Sequence, residues 1–321
     1  MRVLRTPDSR FEHLHGYDYA PRYCTICDRD GTELRIHYLD EGPPGAEPIL
    51  LMHGNPSWSY IYRKMIPGLL KSGRRVVAVD LVGLGRSDKP AKRKYYSQAR
   101  HIEWMQTWLK AMDLKQVTLF CQDWGGVIGL NLVADNPERF DRVVVANSGL
   151  PAGDGGTKAL RVWQFVMKFL PVFPLKTAMT RAVQAKDFNE EQLTAYRAPF
   201  PSLKYQAGIL AFPGLIALFP DNPGVPQNKA AWQKLGRFSK PVLTLFGNRD
   251  PISRGLEKLI HQRIPGATGQ NHKILKGGGH FIQEDKPEEL VSEILSFLEV
   301  YPRTAPDQPM ECKSKEVNNG V

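Results

Sequence analysis

Short runs of branched apolar residues alternate along most of the chain with longer segments of helical periodicity. Five apolar runs, each ending in a polar residue or glycine, are typical of buried parallel strands. They are residues 47–54, 74–83, 117–123, 142–149 and 241–250. Residues 100–114 and 287–300 instead show helical patterns. The alternation predicts a doubly wound α/β fold with a mostly parallel sheet and functional residues at the carboxyl ends of its strands.

The alternation stops between residues 151 and 238. This segment is rich in aromatic residues and proline, and it shows helical patterns but no clear strand. We interpret it as a helical cap inserted into a core domain that comprises residues 1–150 and 239–302. Residues 303–321 are polar, which predicts a disordered tail.

Composition narrows the class of protein. The 321 residues are 42% hydrophobic and 10% aromatic, in the range of globular proteins. The formal net charge is +10, but the basic residues occur in short clusters such as 71–75 and 89–94, without a zinc-finger spacing or a long basic helix. We therefore expect a solvated basic surface and no nucleic-acid partner. No secretory signal and no run of 18 apolar residues is found, so we expect no membrane partner and a cytoplasmic location.

The four cysteines do not indicate a disulfide framework. Cys24 and Cys27 form a CxxC pair, but no second pair of ligands accompanies them, so a redox or zinc role is the less favoured interpretation. Cys121 is expected to be a small packed residue, and Cys312 lies in the polar tail. No bound metal is predicted.

The stretch CQDWGG at residues 121–126 has the form of a nucleophile elbow. Small residues lie two positions before and two positions after Asp123, as a strained turn from strand to helix requires. Asp123 is then expected to project into a pocket, and the dipole of the following helix keeps its carboxylate ionised. An aspartate that merely caps the helix is the simpler alternative.

Three further features give Asp123 partners. The motif HGNPSWS (53–59) follows the first long strand, and the backbone amides of Asn55 and Trp124 are expected to form an oxyanion hole. Asp250 follows the strand at 241–250, and His280 lies on a glycine-rich loop before the last helix. The order Asp123, Asp250, His280 is that of nucleophile, acid and base in hydrolases, which predicts a catalytic triad.

A carboxylate nucleophile limits the chemistry. Attack on an ester would give an anhydride, which gains little, whereas attack on an electrophilic sp³ carbon displaces a leaving group and forms an alkyl ester. His280, oriented by Asp250, can then activate water against that ester and regenerate Asp123. This scheme needs neither a metal nor a cofactor.

Residues 1–300 as a whole resemble the haloalkane dehalogenases. The resemblance includes HYLDEGP (37–43), HGNPSWSYIYRKMIP (53–67), DLVGLGRSDKP (80–90), QDWGG (122–126) and HFIQEDKPEEL (280–290). It implies the α/β-hydrolase fold with a cap, and hydrolysis of haloalkanes to alcohol, halide and a proton. It also implies that the indole N–H of Trp124 binds the departing halide.

The second halide donor differs between branches of that family. It is an Asn after His-Gly in one branch and a cap Trp in another, and this chain has both Asn55 and Trp163. The first possible acid position is the uncharged Asn147, while the later one is Asp250; with the motif YRAPFP (196–201), this resembles the branch with a cap Trp. We expect Trp124 and Trp163 to bind halide, with Asn55 chiefly an oxyanion donor and a candidate third halide contact. A core aromatic is the alternative for Trp163.

Other functions stay open at this point. An epoxide hydrolase uses the same triad, and Tyr196 and Tyr205 could activate an epoxide oxygen. A fluoroacetate dehalogenase would be expected to carry Arg instead of Trp124, and a related light-emitting monooxygenase resembles the other branch. A binding module of the same fold would have no need of halide donors. The expected ligands are a small apolar halogenated substrate, water and halide, and the expected state is a monomer or weak oligomer.

Overall fold

The computed structural model describes residues 1–302, so the predicted tail at 303–321, including Cys312, lies outside the described residues. The strands are β1 Val3–Leu4, β2 Arg22–Cys27, β3 Glu33–Glu41, β4 Pro48–Met52, β5 Arg75–Val79, β6 Lys89–Pro90, β7 Val117–Gln122, β8 Phe140–Ala146, β9 Val242–Gly247 and β10 Lys273–Leu275. The α-helices are α1 Ile66–Lys71, α2 Gln98–Ala111, α3 Trp124–Asp135, α4 Lys158–Phe169, α5 Leu175–Ala182, α6 Glu190–Arg197, α7 Ala207–Leu215, α8 Val225–Leu235, α9 Leu256–Arg263, α10 Ile282–Asp285 and α11 Pro287–Val300.

Eight strands form one sheet in the order β10-β9-β8-β7-β4-β5-β3-β2. Strand β3 pairs antiparallel with β2 and β5, while the pairs from β5 through to β10 are parallel. The five predicted strands are β4, β5, β7, β8 and β9, so the predicted mostly parallel sheet is confirmed. Strands β4, β7 and β9 are buried along their whole length, as branched apolar runs covered on both faces should be.

The strand order reverses at β4, which pairs with β5 on one side and with β7 on the other. A crevice opens at such a reversal, beyond the carboxyl ends of the two flanking strands. Gly54 and Asn55 follow β4, and Asp123 follows β7. The topology therefore brings the two central motifs of the sequence to the same crevice.

Between β8 and β9 the described chain contains α4 to α8 and no strand. Helix α4 buries Leu160 and Met167 on one side. A buried polar cluster joins this segment to the rest of the molecule, because the Tyr196 hydroxyl of α6 donates to Glu284 of α10, which also pairs with Arg63. The assignment of residues 151–238 to a separate cap stays a prediction.

Gly125 allows α3 to lie directly beside β4. A Cβ atom at this position would come within 2.0 Å of the carbonyl oxygen of Met52, which is backbone and cannot turn away. We expect Gly125→Ala to lower the free energy of unfolding by about 1–3 kcal/mol or more. The matched control is Gly214→Ala, because a Cβ at Gly214 meets nothing within 4 Å; this variant should gain up to about 1 kcal/mol. Urea unfolding measures both, and equal stabilities would contradict the argument.

Candidate active site

Asp123 lies at the junction of β7 and α3 in a backbone conformation that is unusual for a residue other than glycine. Its φ is 51° and its ψ is −124°. Such strain is held only where the surroundings enforce it, and it is concentrated at functional sites. The side chain makes no capping hydrogen bond to α3, which excludes the capping alternative. The carboxylate therefore projects from the turn, as an elbow requires.

The two carboxylate oxygens of Asp123 face different groups. Oδ1 accepts a hydrogen bond of 2.8 Å from the backbone N–H of Asn55, while Oδ2 lies 3.4 Å from Nε2 of His280. Gly54 makes the first contact possible, since a Cβ there would come within 2.2 Å of Oδ1. The Asn55 amide thus donates to Asp123, and its role as an oxyanion donor stays a prediction.

His53 holds the peptide group that carries this amide. The Gly54 carbonyl, which belongs to the same peptide as the Asn55 N–H, accepts from His53 Nδ1 at 2.8 Å and from the Ser57 hydroxyl at 3.0 Å. His53 Nε2 accepts from the Leu81 N–H, so Nδ1 carries the proton. Burial lowers the pKa of His53, which favours the neutral ring. The sequence analysis did not single out His53 as a positioning residue.

His280 and Asp250 form the second part of the candidate triad. Nδ1 of His280 lies 3.0 Å from Oδ2 of Asp250, whose side chain is buried. The other oxygen of Asp250 accepts from the Ile252 N–H at 2.8 Å, and the Ser253 hydroxyl also donates to this carboxylate. The structure therefore brings the three residues predicted as a triad together, and their catalytic roles stay a prediction.

Two amide side chains that the sequence analysis did not assign to the site position the His280 loop. Asn147 Nδ2 donates to the carbonyls of Gly279 and His280, and its Oδ1 accepts from the Gly247 N–H. Gln122, which precedes the elbow aspartate, also donates to the His280 carbonyl at 3.0 Å. Asn147 was considered only as an uncharged alternative to the acid. Its position directly after a buried strand was the available signal.

The charges of the Asp250 and Asp123 carboxylates determine the protonation of His280. Burial alone would lower its pKa, but the carboxylates of Asp250 and Asp123 outweigh burial and raise the pKa to about 10. Burial likewise opposes ionisation of Asp250, yet the charge and hydrogen bond of His280 lower its pKa on balance. The resting site is thus an imidazolium between two carboxylates.

A cavity of about 240 Å³ opens above Asp123. Trp124 and Trp163 both line it, together with Asn55 and His280. Apolar groups supply much of the remaining wall: Leu160, Pro174, Ala178, Pro213, Ile216 and Phe281. Trp163 contacts the cavity from α4 and packs edge-on against Phe173. Both predicted indoles therefore border the same small space as the carboxylate.

The two tyrosines considered as activators of an epoxide do not belong to the site around Asp123. The Tyr196 hydroxyl is committed to Glu284 at 2.5 Å and its side chain is fully buried. Neither Tyr196 nor Tyr205 contributes to the cavity wall. Both phenols are therefore poorly placed to protonate an oxygen above Asp123.

Two features of residues 1–302 bear on other classes of site. No group of three or more His, Cys, Asp or Glu side chains within this range is arranged to hold a metal ion. No helix in the same range has both the length and the apolar character needed to cross a bilayer. Cys24 and Cys27 lie on β2 as free thiols, and Cys121 is a buried free thiol.

Comparison with known proteins first identifies the fold family to which the chain belongs. The model of the alpha/beta hydrolase fold family matches residues 47–287, so the chain belongs to the α/β hydrolases. It is 46% identical to a haloalkane dehalogenase of Psychrobacter cryohalolentis, over 94% of this chain and all of that one. It is 48% identical to haloalkane dehalogenase 1 of Mycobacterium tuberculosis, over 92% of this chain and 99% of that one. Within the α/β hydrolases, the chain therefore belongs to the haloalkane dehalogenase family, which confirms the predicted resemblance.

A solved structure agrees with this assignment. The tetrameric haloalkane dehalogenase DpaA from Paraglaciecola agarilytica superimposes with a TM-score of 0.84 at 30% identity and covers 95% of this chain and all of that one. With this membership, the epoxide hydrolase alternative is not favoured.

Proposed function

We propose that this protein hydrolyses small apolar haloalkanes to an alcohol, a halide ion and a proton, with Asp123 as nucleophile. Family membership supports the reaction, and one observation supports the residues. The carboxylate of Asp123 lies between the Asn55 amide and His280, in a cavity that is also lined by two indoles. Neither a metal nor a cofactor takes part in the proposed scheme.

In the first step, a lone pair of Asp123 Oδ2 attacks the carbon that bears the halogen. A carbon–oxygen bond forms while the carbon–halogen bond breaks, and its electron pair leaves with the halide. The small cavity holds the carbon close to the carboxylate, which converts a bimolecular displacement into a unimolecular one. The product is an alkyl ester of Asp123.

The departing halide is proposed to accept hydrogen bonds from the indole N–H groups of Trp124 and Trp163. Neither indole nitrogen is hydrogen-bonded to another group within residues 1–302, so both are free to donate. A hydrogen bond to a charged group contributes roughly 1.5–3 kcal/mol. Asn55 is proposed mainly as a backbone donor, with its side chain as a third halide contact because it also lines the cavity.

In the second step, His280 removes a proton from water, and the water oxygen attacks the ester carbon, Cγ of Asp123. The negative charge that develops on Oδ1 is stabilised by the Asn55 amide and, in our proposal, by the Trp124 amide. Collapse of the intermediate expels the alcohol, which takes its proton from His280, and leaves Asp123 as a carboxylic acid. The remaining proton from water then passes to His280, which lies beside Oδ2, and this restores the carboxylate and the imidazolium. Asp250 keeps the imidazole oriented throughout.

Ester formation should itself prepare His280 for this role. The charge of Asp123 is one cause of the raised pKa of His280, and the ester removes that charge. The pKa of His280 then falls, and the ring releases its proton to become a base. We expect Asp123→Ala to lower the pKa of His280 in an NMR titration of the imidazole. An unchanged titration would contradict the coupling.

The two steps should differ in their dependence on pH. In the ester form, which lacks the charge of Asp123, acid protonates His280 and blocks water activation. The first step does not need a neutral His280. We therefore expect steady-state turnover to fall in acid while a burst of halide release persists. Rapid-quench measurements of both phases test this, and a burst that falls in parallel with turnover would contradict it.

Trp124→Phe removes the indole N–H but keeps an aromatic ring against Phe212, 5.1 Å away. We expect kcat/KM for a bromoalkane to fall roughly 10- to 150-fold, the equivalent of one charged hydrogen bond. Trp163→Phe should have a similar effect and should also weaken bromide binding. Trp232→Phe is the control, since this indole donates to the Leu150 carbonyl. Unchanged bromide affinity in Trp163→Phe would favour the core-aromatic alternative.

The proposed reaction is tested by bromide release from 1,2-dibromoethane and from longer bromoalkanes. Conversion of styrene oxide to its diol by the same folded sample tests the alternative. We expect bromide release without diol formation. Diol formation without bromide release would overturn the proposal in favour of an epoxide hydrolase.

The remaining expectations concern the setting of the enzyme. We propose that it works in the cytoplasm on small molecules, namely haloalkane, water and halide, without a nucleic-acid partner. We also propose a monomer or weak oligomer, although the relative from Paraglaciecola agarilytica is tetrameric. Sedimentation velocity over a range of protein concentrations tests the state of assembly.

A further inference from the structure

Helix α4 exposes a continuous apolar stripe on the side that faces away from the core. Val162, Phe165, Val166 and Phe169 are 55%, 68%, 46% and 66% exposed. Their spacing places them on one face of the helix, and the rings of Phe165 and Phe169 contact each other edge-on. We call these four residues the outer face of α4. Since the opposite side buries Leu160 and Met167, the helix is apolar on two opposite sides. A helix of this kind is normally covered on both.

The charged residues of the segment that carries the outer face all have one sign between Asp154 and Asp187. Residues 155–186 contain no Asp or Glu, but they contain six basic residues. Three of these belong to α4 itself, namely Lys158, Arg161 and Lys168. Within residues 1–302 none of the three forms an ion pair, whereas Lys176 pairs with Glu190. The outer face is therefore an apolar stripe flanked by cations without counter-charges.

We propose that the outer face of α4 docks this protein onto an anionic lipid surface. An amphipathic helix with large apolar residues on one face and Lys or Arg beside them lies in the interface of a bilayer, and anionic headgroups increase its affinity. The sequence predicts no membrane partner because it has no spanning segment, but peripheral docking needs none.

A second copy of this chain fits the outer face less well. A symmetric contact through this face would place Lys158, Arg161 and Lys168 opposite the same residues of the other copy. No acidic residue of the segment could compensate this repulsion. An anionic lipid surface supplies the missing counter-charge over the whole stripe.

The location of the outer face gives docking a consequence for the proposed reaction. Leu160 and Trp163, on the other side of the same helix, line the cavity above Asp123. Docking therefore places the cavity about one helix diameter from the lipid bilayer. Apolar haloalkanes concentrate in that bilayer. The lipid contact itself does not depend on the identity of the substrate.

The test is co-sedimentation of the full chain with vesicles of phosphatidylcholine alone or of equal parts phosphatidylcholine and phosphatidylglycerol. We expect binding to the anionic vesicles only. The variant Phe165→Gln/Phe169→Gln should bind at least tenfold more weakly. The variant Lys158→Gln/Arg161→Gln/Lys168→Gln should lose roughly 100-fold, because each cation near an anionic surface is worth about a fivefold change. All five side chains project from the helix surface and leave the core intact.

Matched controls separate the outer face from the overall charge. Lys110→Gln/Lys229→Gln/Lys258→Gln removes the same net charge from exposed positions outside α4, and Leu203→Gln/Ile274→Gln removes two exposed apolar side chains. Both controls should bind like the wild type. Absence of wild-type binding, equal binding to neutral vesicles or equal losses in the controls would each overturn the proposal. So would self-association that the Phe165/Phe169 variant abolishes without any vesicle binding, since a second copy would then cover the face.

Discussion

Replacing Asp123 with Ala is expected to abolish halide release from every substrate that the wild type accepts. No neighbouring group can take over, because Asp123 is the only carboxylate among the described residues that line the cavity. Removal of a nucleophile that acts with a base reduces kcat on the order of 10⁴–10⁶. Bromide release measured with enzyme in excess over substrate reports the first turnover. Under these conditions Asp123→Ala should release no bromide.

A matched control for this variant is Asp221→Ala, which removes an exposed carboxylate away from the cavity. Thermal unfolding of both variants checks that the loss is chemical rather than structural. Residual bromide release by Asp123→Ala above about a hundredth of the wild-type rate would show that water attacks the substrate directly. In that case Asp123 would be a positioning residue, and the ester mechanism would be wrong.

His280→Gln should have a different and equally large effect. The first step uses only the carboxylate, so the variant should release about one bromide per protein molecule and then stop. Steady-state turnover should fall roughly 10²–10⁴-fold, the usual contribution of a general base. The trapped ester adds the mass of one alkyl group, and peptide mapping should place it on Asp123.

The control here is His15→Gln, an exposed histidine on the N-terminal segment. It should retain full turnover and show no trapped ester. A loss of the burst in His280→Gln, in a folded sample, would mean that His280 also assists the first step. The burst therefore distinguishes the two roles without any assumption about the rate-limiting step.

Much of the fold was predictable because its signals are local. The central strands are short branched runs buried on both faces, and the predicted 117–123 corresponds to Val117–Gln122. The elbow was predictable for the same reason, since small residues at fixed positions around Asp123 report a turn that only such residues allow. The order of Asp123, Asp250 and His280 was informative because a parallel sheet brings the ends of separate strands together.

Contacts between distant parts of the chain were not predictable in this way. Asn147 and Gln122 donate to the loop that carries His280, more than 130 residues further along the chain. His53 acts on the peptide that carries the Asn55 amide, a role that depends on which ring nitrogen is protonated. Amide and imidazole side chains carry no periodic signal, and their partners depend on packing.

The predicted halide-binding roles of the two indoles lie between these two cases. Trp124 adjoins Asp123 in sequence, so its place at the cavity follows from the turn. Trp163 lies in α4, which is apolar on two faces. The sequence of α4 alone does not show which of these faces lies against the cavity. The structure directs Trp163 inward, with Phe165 and Phe169 on the other side. The helical period alone could not decide this orientation.

The adjacency of Asp123 and Trp124 also affects how the enzyme recovers after each turnover. While the ester exists, Asp123 carries no charge, and a halide beside Trp124 meets no like charge on that residue. In the proposed mechanism, hydrolysis restores an anion next to the bound halide, and the two like charges repel each other. The completed reaction in this mechanism therefore expels its own ionic product.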